Sequence, residues 1–275
     1  MSARPVELTL IGVDFTSAPR RAKPITAAIG RLDGKAVELT RIETLSDWPA
    51  FEALLVRPGP WLGAFDFPFG LPREAIVDLG WPLNWPELVR HCEALGKTAF
   101  RSALDAYRQT RPFGQRYAHR STDLPARSHS PLKLVNPPVG MMFLQGAPRL
   151  LSAGVSLPGM HAADPQRLAV EAYPGLIARS ITPDSYKSDD KRKQTSARRD
   201  ARRCIIDAVC TGHTPQGFGL RLDDFHRANL IDDASGDCLD AALALLQAAA
   251  CAHAGPPHFG LPADIDSLEG WIAGT

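Results

Sequence analysis

The sequence predicts an α/β chain whose mixed sheet opens βββαβ, is flanked by helices, and carries an irregular insertion before a closing run of further strands and helices. Three observations lead there. Apolar runs of strand length dominate residues 7–66, an Asp33-Gly34 turn signal falls between the second and third of them, and a strongly apolar helical pattern covers about Asp237 to His253.

Taken in order, Glu7 to Asp14 alternates and then becomes continuously apolar, the pattern of a strand entering the middle of a sheet. Pro24 to Leu32 and Lys35 to Ile42 make a hairpin around Asp33-Gly34. Ser46 or Asp47 can cap a helix reaching about Val56, after which Trp61 to Asp66 reads as a buried fourth strand. Pro, Gly, Arg and His crowd residues 73–164, where helical periodicity is clear only around Glu87 to Arg108. This stretch is read as an insertion within a single domain spanning 1–275. Arg167 to Ala172 returns to a strand pattern, and Pro174 suits the first position of a helix through Ala178. Lys191 to Cys210 reads as a basic helix with Ala201, Cys204, Ile205, Ala208 and Val209 on its buried face.

A chain of 275 residues can bury a large core. Lys and Arg number 31 against 30 Asp and Glu, so net charge points to neither a nucleic-acid nor a membrane partner. Five cysteines without a C-x-x-C pair argue against a disulfide framework. No targeting segment is visible, and no stretch of about 18 apolar residues exists to span a bilayer, so a cytoplasmic protein is expected. The histidines show no zinc spacing, and the nucleophile elbow, the G-x-x-x-x-G-K phosphate loop and the G-x-G-x-x-G fingerprint are all missing.

The acidic residues are more informative. Asp14 ends the first strand, Asp66 the fourth, and Glu171 the strand in Leu168-Ala169-Val170-Glu171. Asp237 and Asp240, three apart, can project from one face of the last helix. A carboxylate on a core element is costly unless paired or bound to a cation, and functional groups of open α/β sheets gather at the carboxyl ends of strands. Oxygen donors of this kind suit Mg²⁺ or Mn²⁺, with Asp14, Glu171, Asp237 and Asp240 as metal ligands and Asp14, Asp66, Glu171 and Asp240 as catalytic candidates. Two such ions about 3.5–4 Å apart would orient a water and stabilise a leaving oxygen. Each acid also has a structural reading. Asp14 could accept backbone bonds in a turn, Asp237 could answer the helix dipole, and Glu171 could pair with Arg179 or Arg202.

Several strings together resemble the predicted-nuclease family called domain of unknown function 429. They are Gly12-Val13-Asp14, Phe65-Asp66-Phe67-Pro68-Phe69-Gly70-Leu71-Pro72, Val170-Glu171-Ala172-Tyr173-Pro174-Gly175, Tyr186-Lys187, Asp237-Cys238-Leu239-Asp240-Ala241 and Glu269-Gly270-Trp271-Ile272. The resemblance implies a ribonuclease H-like fold with a βββαβαβα core. It also implies a metal-dependent nuclease, the Holliday-junction resolvase branch included, with one aspartate on the first strand and another on the last helix. Asp14 and Asp240 match those two positions. A homodimer would suit a junction-cutting enzyme by analogy of fold alone.

Lys187, directly after Tyr186, is expected near the acids as a substrate-binding residue, and the basic stretch through Arg203 could neutralise phosphates or form a solvated face. Arg120 and Lys133, in the insertion, could clamp a phosphate, with Asp123 orienting Arg120. Two other readings stay open. One is a non-catalytic nucleic-acid or protein interaction module. The other is a phosphotransferase or ATPase of the actin and sugar-kinase group, suggested by Asp14-Phe15-Thr16-Ser17 but lacking a second, similar half.

Overall fold

A computed structural model describes residues 7–275. Its centre is a seven-stranded mixed sheet flanked by helices, and the chain enters it as βββαβ. Strands β1 (Thr9–Asp14), β2 (Ile25–Asp33) and β3 (Ala36–Leu45) form an antiparallel meander turned at Gly34. Helix α1 (Trp48–Leu55) starts where Asp47 accepts the Ala50 N–H at 2.9 Å, and it returns the chain to β4 (Trp61–Asp66), parallel to β1.

Residues 73–164 are more regular than their composition suggests. They fold into α2 (Arg73–Asp78), α3 (Trp85–Thr110), α4 (Asp123–Ala126) and α5 (Val139–Ser152), followed by the short strand β5 (Val155–Ser156). Within α3, Gly96 at φ 67° breaks the helical path. Gly140, Gly146 and Pro148 hide α5 in the sequence, yet its Phe143, Leu144, Ala147 and Leu150 are buried in the core beside α3. Tertiary burial outweighs poor local propensity here. The expected irregular insertion is therefore the helical cover of one sheet face.

Strand β6 (Asp164–Glu171) pairs parallel with β4, and α6 (Pro174–Ile181) follows with proline in its first turn. Helix α7 spans Ser196–Cys210, five residues later than expected at its start, because Thr195 caps it and Lys191–Lys193 form a separate 3₁₀ turn. Its buried face carries Ala201, Arg202, Ile205, Ile206 and Val209, while Cys204 is exposed. The rotation follows from Arg202, whose buried guanidinium donates to the carbonyls of Ile231 at 2.7 Å and Tyr186 at 2.6 Å. Strand β7 (Gly219–Arg221) and helix α8 (Asp224–Asp232), unmarked by the sequence patterns, precede α9 (Asp237–Ala254).

The strand order β5-β6-β4-β1-β2-β3-β7 divides the core in two. Side-chain alternation sends Ile11, Val13 and Phe65 toward α1, α3 and α5, and Leu10, Leu62 and Ala64 toward α7 and α9. Both faces are covered, which explains the continuously apolar strands. Gly12 fixes the seat of α9. A Cβ there would collide with the Ala241 carbonyl and the Leu245 amide, so only glycine lets the helix backbone press against β1. Among the described residues no helix is long and apolar enough to cross a membrane.

Candidate active site

Strands β1, β4 and β6 run parallel, so their carboxyl ends share one sheet edge. Asp14 lies opposite Asp66 in the register, and Phe65 opposite Glu171. Phe65, Phe67 and Phe69 are buried among Phe15, Phe51 and Trp85, which pins the chain on both sides of Asp66. Helix α9, held against β1 at Gly12, presents Asp237 and Asp240 from its first turn toward the same edge.

Asp14 is 8 % exposed and Asp66 is half-buried, and neither carboxylate accepts a hydrogen bond within the described residues. Burial, then repulsion from Asp240, pushes the Asp14 pKa well above the usual carboxylate range, against the opposing attraction of Lys187. Burial raises Asp66 to about 7, with Lys187 opposing and Asp240 and Glu171 reinforcing the shift.

Asp240, fully buried, is fully partnered. Tyr186 Oη donates to its Oδ1 at 2.5 Å and Lys187 Nζ forms an ion pair with Oδ2. Burial works against the charged form of Lys187, but Asp240, Tyr186 and Asp14 prevail and lift its pKa well above normal. Gly236, at φ 80° ahead of α9, leaves room for this lysine, since a Cβ there would sit 2.6 Å from Lys187 Cβ.

Four expected roles meet a different setting, those of Glu171, Arg120, Asp237 and Lys133. Glu171 is anticipated as a catalytic residue and metal ligand, but Arg120 donates to Oε1 and Oε2 at 2.7 Å each, and the Phe69 amide adds a bond to Oε2 at 2.9 Å. Arg120, anticipated as a phosphate clamp, is 2 % exposed, and all of its guanidinium nitrogens are engaged by Asp123, Glu171 and the Glu269 carbonyl. The pair is a bidentate, buried Asp123–Arg120–Glu171 bridge that ties α4 to β6. Asp123 orients Arg120 as anticipated, whereas Arg179 instead donates to Tyr173 Oη and the Ala126 carbonyl. Asp237 binds Lys23 Nζ at 2.7 Å, and Lys23 also reaches Asp189 at 2.8 Å. Lys133 stands 3.3 Å from His129 Nε2 and lines neither lobe of the cleft.

The cleft has two lobes that meet at Asp66, Pro137, Met142 and Lys187. One, about 400 Å³, runs past Asp240, Tyr186, Tyr173, Arg179 and His129. The other, about 500 Å³, contains Asp14, Thr16, Lys23 and Asp237.

No family model, curated protein or solved structure matches the chain.

Within the described residues, no three His, Cys, Asp or Glu side chains are placed to hold a metal ion together. Glu171, Asp237 and Asp240 are each paired with a cation, Arg120, Lys23 and Lys187 respectively. Asp14 and Asp66 remain as two adjacent oxygen donors without a partner among the described residues and held partly against ionisation, the arrangement that attracts a hard cation or a proton. Lys23, Tyr186 and Glu269 join the list of contributing residues. Tyr186 and Glu269 lie in the noted strings, while Lys23 has no signal in its local sequence. Glu269 accepts from the Ser121 amide and hydroxyl and from the Arg73 amide, fastening the C-terminal loop to the insertion.

Proposed function

We propose that the protein is a Mg²⁺- or Mn²⁺-dependent phosphodiesterase of the ribonuclease H-like type that cleaves nucleic acid. The observation that carries this reading is the pair Asp14 and Asp66, side by side on β1 and β4 with no donor to either among the described residues. The hairpin-first strand order, with an aspartate ending the first strand and another on the last helix, supports the fold implied by the family resemblance.

Hard carboxylate oxygens suit either cation. Asp14 and Asp66 would hold it, with Asp240 joining when its present partners release it. Bound there, the cation would supply charge against phosphoryl oxygens and acidify a water. The remaining work falls to the chain itself. Lys187, at the junction of the lobes, can donate to a phosphate oxygen, and Phe67, Val139, Met142 and Ile272 give the first lobe an apolar lining. Beyond Asp237 a groove carries Arg20 and Lys191 beside the paired Lys23, Asp189 and Asp237, and those two cations, unpaired among the described residues, could meet a sugar-phosphate strand, which would make binding salt-sensitive.

Calorimetric titration of Mn²⁺ into the wild type, Asp14→Asn and Asp66→Asn tests this, together with cleavage of single-stranded, duplex and junction oligomers with and without the cation. Binding lost in both variants and cation-dependent cleavage are expected. A wild type that binds no Mn²⁺, alone or with an oligomer, overturns the proposal.

A further inference from the structure

We infer that Lys187 is a resident counter-cation that a divalent cation displaces from Asp240, and that its released ammonium then meets the substrate phosphate. The inference rests on the cation site proposed above.

A carboxylate as deeply buried as Asp240 is costly without a positive partner. Lys187 supplies it from outside the rigid frame. It sits between α6 and the 3₁₀ turn, and its side chain is 42 % exposed although its ammonium rests on a fully buried acid. The main chain there is held independently, because Arg202 donates to the Tyr186 carbonyl and Arg198 to that of Lys187. Release of the ammonium therefore needs side-chain rotation alone.

The charge balance favours exchange. Asp14, Asp66 and Asp240 all act on this one ammonium's surroundings, whereas Lys23 is committed to Asp237 and Asp189. Asp14, more than nine-tenths buried and without a partner among the described residues, opens into the lobe that Lys187 also lines. A dication would answer these acids better than one ammonium does. Because Lys187 borders both lobes, the freed ammonium stays where a phosphate would lie.

Mn²⁺ calorimetry at pH 8 on the wild type, Lys187→Met and Lys187→Arg is the test, with Asp14→Asn as the reference for loss of the site. Lys187→Met should bind Mn²⁺ at least about tenfold more tightly, a difference of ~1.4 kcal/mol. Without the cation it should melt at a lower temperature than the wild type, and saturating Mn²⁺ should restore it. Lys187→Arg, which keeps the charge and grips a carboxylate with two donors, should bind Mn²⁺ no more tightly than the wild type. Wild-type affinity in Lys187→Met, with binding abolished in Asp14→Asn, overturns the inference and leaves the proposed function standing. Tighter binding by Lys187→Arg overturns it equally. Absence of Mn²⁺ binding from the wild type and Lys187→Met alike removes the cation site and the inference together.

Discussion

Replacing Asp66 with asparagine should stabilise the protein in alkaline buffer and leave it unchanged in acid. Burial holds the Asp66 pKa near 7, with Asp240 and Glu171 adding to the effect and Lys187 opposing it. In the unfolded chain the same carboxyl titrates near ~3.9. Below about pH 4 both states keep the proton, and the group contributes nothing to stability. As the pH rises, the unfolded chain ionises first, so native stability falls until the folded carboxyl ionises at about 7, and the deficit is constant above that. A separation of about three units corresponds to ~4 kcal/mol at ~1.4 kcal/mol per unit, and solvent access to the half-buried side chain reduces this to roughly 2 kcal/mol. Asparagine has nearly the same shape and no charge, so Asp66→Asn should exceed the wild type by ~2 kcal/mol at pH 8 and match it near pH 4. Urea denaturation at both pH values reads the difference as a midpoint shift at constant slope. A variant less stable than the wild type at pH 8, or an equal offset at both pH values, refutes the reasoning, because the carboxylate would then not be held against its own ionisation.

Glu171→Ala leaves Arg120 buried with one carboxylate fewer and should cost ~3–5 kcal/mol in urea denaturation, whereas Asp14→Asn should cost nothing at pH 8; equal losses would erase the division into structural and functional acids. Gly12→Ala forces a methyl group into the backbone of α9 and should destabilise by about 3 kcal/mol or more, visible as a lower melting temperature; a neutral result would mean that α9 can retreat without loss. A thiol-exchange reagent should modify exposed Cys204 in the native protein well before buried Cys92 and Cys251, the latter with its thiol pushed up to about 12 by burial; mass spectrometry after brief exposure identifies the labelled residue.

The opening of the fold is legible because β1 to β4 and α1 are encoded locally. Asp33-Gly34 turns the hairpin, Asp47 caps α1, and the doubly buried strands β1 and β4 must be apolar up to their terminal aspartates. Helix α5 is illegible for the opposite reason, since its glycines and Pro148 oppose helix formation and packing against α3 and the Phe67 ring sustains it. Helix α7 is visible, but its inward face is not, because no periodicity says that Arg202 will find two carbonyls in the interior. The site divides in the same way. Strand ends and the α9 pattern mark Asp14, Asp66 and Asp240, whereas partner choice depends on distant segments. Glu171 meets Arg120 rather than Arg179 or Arg202 because α4 is folded over the end of β6, a juxtaposition of elements far apart in the chain.

The close approach of α9 to β1 also carries a consequence for the timing of synthesis. Asp14 leaves the ribosome more than two hundred residues before Asp240, yet the glycine seat on β1 is filled only by the helix that bears Asp240. Until that helix has emerged, Lys187 has no buried acid to bind, and the face of β1 around Gly12 stays uncovered. The acid set at the sheet edge is therefore completed only once translation has passed α9.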